Sequence, residues 1–138
     1  MTVELRVRYQ ETDQMGVVYH TNYLIWCEMA RTELLRRTGM TYKALEESGV
    51  LLPVVEAFCQ YRTAATYDDL VRVEARIIRL TGVRLNFKYL IKRVEDNTLL
   101  AEAATYHAFT AKNGSPINIK KKAPEWWESL GLLAGEEV

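Results

Sequence analysis

Residues 21–37, Thr21-Asn22-Tyr23-Leu24-Ile25-Trp26-Cys27-Glu28-Met29-Ala30-Arg31-Thr32-Glu33-Leu34-Leu35-Arg36-Arg37, decide the architecture. Leu24, Ile25, Cys27, Met29, Ala30, Leu34 and Leu35 spread over more than one side of a helix, which predicts a long helix largely enclosed by other structure. Thr21 or Asn22 stands where an N-cap belongs, and Gly39 suits the C-cap. Arg36 and Arg37 occupy the last turn, where cations oppose the helix dipole.

Upstream of this helix, Val3, Leu5, Val7 and Tyr9 alternate with Glu4, Arg6 and Arg8. That is the period of a half-buried strand, and it places the Tyr9 side chain on the apolar face at the strand's far end. Downstream, Thr41 caps a short second helix that ends near Gly49, and residues 50–63 form an apolar run broken by Pro53, as at a sheet edge. Val71, Val73, Ala75 and Ile77 alternate with charged residues, Thr81-Gly82 turns the chain, and Leu85, Phe87, Tyr89 and Ile91 alternate again. Residues 95–97 make the next turn, residues 99–111 a further strand, and Pro124 starts a C-terminal helical turn. Strand, long helix and antiparallel meander are segregated along the chain, which predicts an α+β fold rather than a parallel α/β one. No repeat, low-complexity tract or linker interrupts residues 1–138, so one domain is expected.

Hydrophobic residues make up 49% and charged residues 26% of the 138, the balance of a chain with a packed core. Lys plus Arg and Asp plus Glu both total 18, so the formal net charge is zero and no nucleic-acid partner is expected. Lys120-Lys121-Lys122 reads as a solvated surface. No stretch approaches the roughly 20 apolar residues of a membrane span, and no leader pattern is visible, so a cytoplasmic protein without membrane insertion is expected. Cys27, Cys59 and two histidines are too few and too scattered for a structural zinc site; no metal is expected, and the thiols read as free. His107 reads as a satisfied core or interface residue, Trp126 and Trp127 as packing residues, and Glu56 as a lone acid in an apolar run.

The reactive groups crowd into Tyr9-Gln10-Glu11-Thr12-Asp13-Gln14-Met15-Gly16-Val17-Val18-Tyr19-His20-Thr21-Asn22-Tyr23, just ahead of the long helix. A helix start offers unpaired N–H groups and a positive partial charge, which suit a developing oxyanion. A carboxylate beside such donors supplies the base or nucleophile that acyl transfer also requires. From spacing alone, Asp13-x-x-Gly16 is equally ordinary turn chemistry, His20 a polar helix-start residue, and Tyr9 a core residue with its hydroxyl at the rim.

A longer pattern separates these readings. Tyr9-x-x-x-Asp13-x-x-Gly16-Val17-Val18-Tyr19-His20-x-Asn22-Tyr23, continuing to Glu28-x-Ala30-Arg31-x-Glu33-Leu34-Leu35-Arg36, resembles the signature of the 4-hydroxybenzoyl-CoA thioesterase family. Its pattern is closest to the bacterial branch associated with the Tol-Pal system. Residues Tyr61-Arg62-Thr63-Ala64-Ala65-Thr66-Tyr67-Asp68-Asp69-Leu70 resemble the stretch leading into that family's central strands. The resemblance implies a hotdog fold, with an antiparallel sheet wrapped round the long helix, and hydrolysis of an acyl-CoA to acid and CoA. It implies no cofactor, since coenzyme A belongs to the substrate. It places the catalytic carboxylate on Asp13, the backbone N–H that polarises the thioester at His20, and further catalytic weight on the Tyr9 and His20 side chains. Gly16, Val17, Val18, Tyr19, Asn22 and Tyr23 are then the substrate-binding residues. It also implies a homodimer or homotetramer with active sites at subunit interfaces. A hotdog dehydratase or hydratase, and a non-catalytic binder of acyl-CoA or acyl carriers, are the rival readings. The acyl group, the CoA phosphate contacts, and the choice between nucleophile and general base for Asp13 stay open.

Overall fold

The computed structural model describes residues 1–136, apart from the side chains of Tyr42 and Glu136. Five antiparallel strands, β1 (Thr2–Arg6), β2 (Val54–Tyr61), β3 (Leu70–Leu80), β4 (Arg84–Arg93) and β5 (Leu99–Ala108), form one sheet in the order β1-β3-β4-β5-β2. The helix α1 (Thr21–Arg36) packs against one face of it. α2 (Tyr42–Ser48), α3 (Ile119–Lys122) and α4 (Pro124–Glu136) complete the described chain. Segregated helix and antiparallel sheet is the α+β arrangement expected.

Alternation builds the core. Val71, Val73, Ala75 and Ile77 of β3, and Leu85, Phe87, Tyr89 and Ile91 of β4, turn toward the helix side and are buried. They meet Trp26, Cys27, Ala30, Leu34 and Leu35 of α1 in a single cluster. Each large side chain so buried contributes roughly 1.5–3 kcal/mol relative to exposure. Thr41 caps α2 by accepting the Ala44 N–H at 3.0 Å, and Gly49 ends that helix with a left-handed φ of 84°.

Several elements depart from the sequence reading. β1 stops at Arg6, where its pairing with Leu70, the first residue of β3, runs out. A 3-10 turn over Tyr9–Glu11 follows, and Tyr9 is 75% exposed rather than on an apolar face. Neither Thr21 nor Asn22 caps α1: the N-cap is His20, in helical conformation and without a side-chain cap bond. The C-cap is Arg37, with Gly39 two residues beyond at a φ of 78°. β5 ends at Ala108, short of residue 111, and the C-terminal turn is a 13-residue helix. The outer side of α1 leaves Ile25 and Met29 half-exposed, so the helix is not enclosed by its own chain.

β2 has no partner on its outer edge among the described residues, and Val54, Val55, Phe58 and Tyr61 along it are half-exposed. No described helix is long and apolar enough to cross a membrane.

Candidate active site

Residues 12–18 fold into a tight loop held by its own backbone. Asp13 N–H donates to the Val17 carbonyl at 2.8 Å, and Gly16 N–H donates to the Asp13 carbonyl at 3.0 Å. The Asp13 Oδ1 accepts the Met15 N–H at 2.8 Å. Gly16 takes a φ of 81°; a Cβ there would touch nothing, so the backbone angle and not space calls for glycine. The predicted turn chemistry is therefore present, and it fixes a carboxylate whose other oxygen has no hydrogen-bond partner among the described residues.

Two seams attach this loop. On one side Val18 N–H donates to the Ala65 carbonyl at 2.9 Å, while Ala65 N–H donates to the Tyr23 hydroxyl at 3.1 Å. Arg93 pins the same 64–69 segment, donating to Asp69 Oδ2 at 3.1 Å and to the Ala64 carbonyl at 3.2 Å. On the other side Glu11 does the work. Its carboxylate, only 5% exposed, accepts the Trp26 indole N–H at 2.9 Å and the Arg8 backbone N–H at 2.8 Å. Its main-chain carbonyl accepts the Tyr19 N–H at 2.8 Å and the Asn22 amide at 3.0 Å. One residue thus closes the neck of the loop and ties it to α1.

The loop and the helix start enclose a cavity of about 320 Å³, lined by Asp13, Met15, Val17, Val18, Tyr19, His20, Tyr23 and the facing residues 61–64. Among the described residues, neither the His20 nor the Thr21 N–H has an acceptor in the chain. A carboxyl side chain and an uncapped helix N-terminus therefore meet at one cavity, an arrangement that can offer both a base and hydrogen-bond donors to a bound group. Of the residues predicted for this site, Asp13, Val17, Val18, Tyr19, His20 and Tyr23 line the cavity. Gly16 shapes the loop beneath it, and Asn22 spends its side chain on the Glu11 carbonyl. Tyr9 lies outside the lining, its ring edge-on to Tyr67 at 5.8 Å.

Two contributors were not among the predicted site residues. Tyr61, at the end of β2, donates its hydroxyl to the His20 carbonyl at 3.0 Å. Glu11 was visible in the sequence only as a second acid near Asp13; its buried partner Trp26 is 15 residues away. Elsewhere, His107 is a satisfied core residue, bonded to Thr105 and the Leu52 carbonyl. Cys27 and Cys59 are free thiols, the first buried and the second half-buried. No group of three or more His, Cys, Asp or Glu among the described residues could hold a metal ion.

The chain is similar to known proteins in sequence and in fold. The family model described as the thioesterase-like superfamily matches residues 7–130. The Bacillus subtilis (strain 168) protein YneP is 34% identical over 123 residues, covering 89% of each chain. The acyl-CoA thioesterase YbgC of Haemophilus influenzae is 40% identical over 102 residues, covering 73% of each. The solved DHNA-CoA thioesterase of Staphylococcus aureus superposes with a TM-score of 0.91 at 28% identity, over 99% of this chain and 91% of that one. The chain belongs to the thioesterase-like superfamily and is a thioester hydrolase of the hotdog fold.

Proposed function

We propose that the protein hydrolyses acyl-CoA thioesters in the cytoplasm, with Asp13 as base or nucleophile and the N–H groups of His20 and Thr21 as the oxyanion hole. The observation that carries this reading is the meeting of Asp13 and the uncapped start of α1 at one cavity. A carboxylate oxygen, or a water deprotonated by it, adds to the thioester carbon. The carbonyl electrons move onto oxygen, and collapse of the tetrahedral species expels the CoA thiolate. When water attacks, the thiolate receives the proton that Asp13 took. When Asp13 attacks, a water then cleaves the mixed anhydride, releasing the acid, restoring the carboxylate and supplying the thiolate's proton. Donors aimed at that oxygen are worth roughly 3–4 kcal/mol each in such sites. The His20 imidazole lies at the cavity wall, its ring centroid 4.5 Å from that of Tyr19, and on this reading it orients water or the leaving thiolate. The motif spacing favours the Tol-Pal-associated branch of the 4-hydroxybenzoyl-CoA thioesterase family.

The working unit is a homodimer or a higher assembly of dimers, with β2 edges paired across a two-fold axis. An eight-residue edge strand with half-exposed Val54, Val55 and Phe58 and a single charge, Glu56, is the kind of edge that pairs with another chain. Since β2 ends at the cavity with Tyr61, such pairing brings the partner chain beside the active site.

Asp13→Asn tests the catalytic reading. Steady-state hydrolysis of acetyl-, butyryl-, decanoyl- and benzoyl-CoA, followed by released thiol, should show roughly 100- to 10,000-fold loss of kcat with the fold intact. Parental kcat on every substrate the wild type accepts would remove Asp13 from the chemistry. Thiol release also excludes the hydratase and simple-binder readings, neither of which frees CoA.

A further inference from the structure

The peptide that joins His20 to Thr21 is held from outside the helix. The Tyr61 hydroxyl reaches it from the edge strand and donates to the His20 carbonyl at 3.0 Å. The Tyr61 ring is set edge-on against Tyr23, at 5.1 Å, and against His20, at 6.2 Å, so the hydroxyl has a defined direction. Loss of water around it, and then the Cys59 thiol beside it, push the hydroxyl up to about 12; it is a protonated donor throughout the neutral range.

A peptide group is planar, so the His20 carbonyl and the Thr21 N–H are rigidly opposed ends of one unit. Fixing the carbonyl aims the amide. First turns of helices fray when nothing caps them, and α1 has no side-chain cap. As the N-cap of α1, the His20 carbonyl also accepts from the first turn of the helix, the Tyr23 N–H lying 3.3 Å from it.

We propose that Tyr61 is a positioning residue for thioester hydrolysis, its hydroxyl holding the His20 carbonyl so that the Thr21 N–H stays aimed at the thioester oxygen. The inference rests on the catalytic reading above and adds to it a residue some 40 positions from the motif. A purely structural role asks nothing of the hydroxyl: the side chain is 46% exposed, and its ring contacts with Tyr23 and His20 survive without the oxygen.

Tyr61→Phe removes that one atom. The variant should keep the parental unfolding temperature and native mass, hold KM within about twofold, and lose roughly tenfold in kcat, less than the 100-fold typical of deleting a donor outright. A second readout looks at the oxyanion hole directly. In the Asp13→Asn background, the best substrate of the four-member acyl-CoA panel is bound with carbon-13 at its thioester carbonyl. Its infrared stretch should lie below the solution frequency, and adding Tyr61→Phe should move it back toward solution. Unchanged kcat in Tyr61→Phe, or an unmoved carbonyl frequency with an inactive Asp13→Asn, overturns the role of Tyr61 alone. An Asp13→Asn protein that still turns over at the parental rate overturns the catalytic reading and this inference with it.

Discussion

The Trp26 indole N–H donates to the buried Glu11 carboxylate at 2.9 Å, joining the loop that carries Asp13 to the second turn of α1. The other carboxylate oxygen takes the Arg8 N–H at 2.8 Å, and the Arg8 guanidinium lies 3.6 Å away. Glu11→Gln keeps the shape but offers one acceptor oxygen where two N–H donors converge, so one donor loses its partner. Such a loss in a buried site costs about 1–3 kcal/mol. Chemical denaturation should show that destabilisation, and kcat should fall further than KM rises because the loop loses its anchor. A Glu11→Gln protein with parental stability and kcat would contradict the clamp.

His107 makes a pH prediction. Proton bookkeeping along the core chain is consistent with a neutral ring: Arg31 donates to the Tyr89 oxygen at 3.0 Å, and Tyr89 and Thr105 share a bond of 2.7 Å. Thr105 then meets His107 Nε2 at 2.8 Å, and the Leu52 carbonyl, which can only accept, requires the proton on Nδ1. Burial, helped by the Arg31 charge and opposed by the Leu52 carbonyl, pushes the imidazole down from 6.5 to about 4. Between those values the unfolded chain binds the proton and the folded one does not, so stability rises with pH across that window. It is fully present above pH 6.5 and is lost as pH falls toward 4, by about 3 kcal/mol in total. His107→Gln should flatten that part of the stability profile measured by urea unfolding. An equal slope in both proteins would show that other groups set it.

The sheet, the α2 cap and the Asp13–Gly16 turn were legible because each rests on local pattern: alternation at Val71–Val73–Ala75–Ile77, a Thr41 side chain three residues before Ala44, a glycine where φ is positive. Tyr9 was misplaced because alternation does not mark where a ladder ends; β1 stops when β3 begins at Leu70, some 60 residues later in the chain. The α1 cap was misplaced for a different reason. Capping preference looks for a satisfied helix start, and this one is left unsatisfied at the cavity, as a functional site can be. The site roles of Glu11 and Tyr61 were illegible because their partners, the Trp26 indole and the His20 carbonyl, are brought to them only by tertiary packing. Ile25 and Met29 read as enclosed in the sequence, since an apolar residue left half-exposed has the same composition signal as a buried one.

The β2 edge gives the remaining prediction. Unpaired edges in folded proteins are blunted with lysine or proline, and β2, from Val54 to Tyr61, has neither. If two copies pair there, the native mass in solution is a multiple of the 15.9 kDa chain. Val55→Lys combined with Phe58→Lys places two cations per chain against their symmetry mates and disfavours pairing. Both positions are half-exposed in the single chain, so the fold itself has little to lose. Light scattering should record a drop toward 15.9 kDa with the circular dichroism spectrum retained. Turnover should fall with the mass, because Tyr61, the last residue of the same strand, holds the helix start where the thioester is proposed to sit. A wild-type protein that runs as a monomer, or a monomeric variant with full kcat, would separate assembly from catalysis.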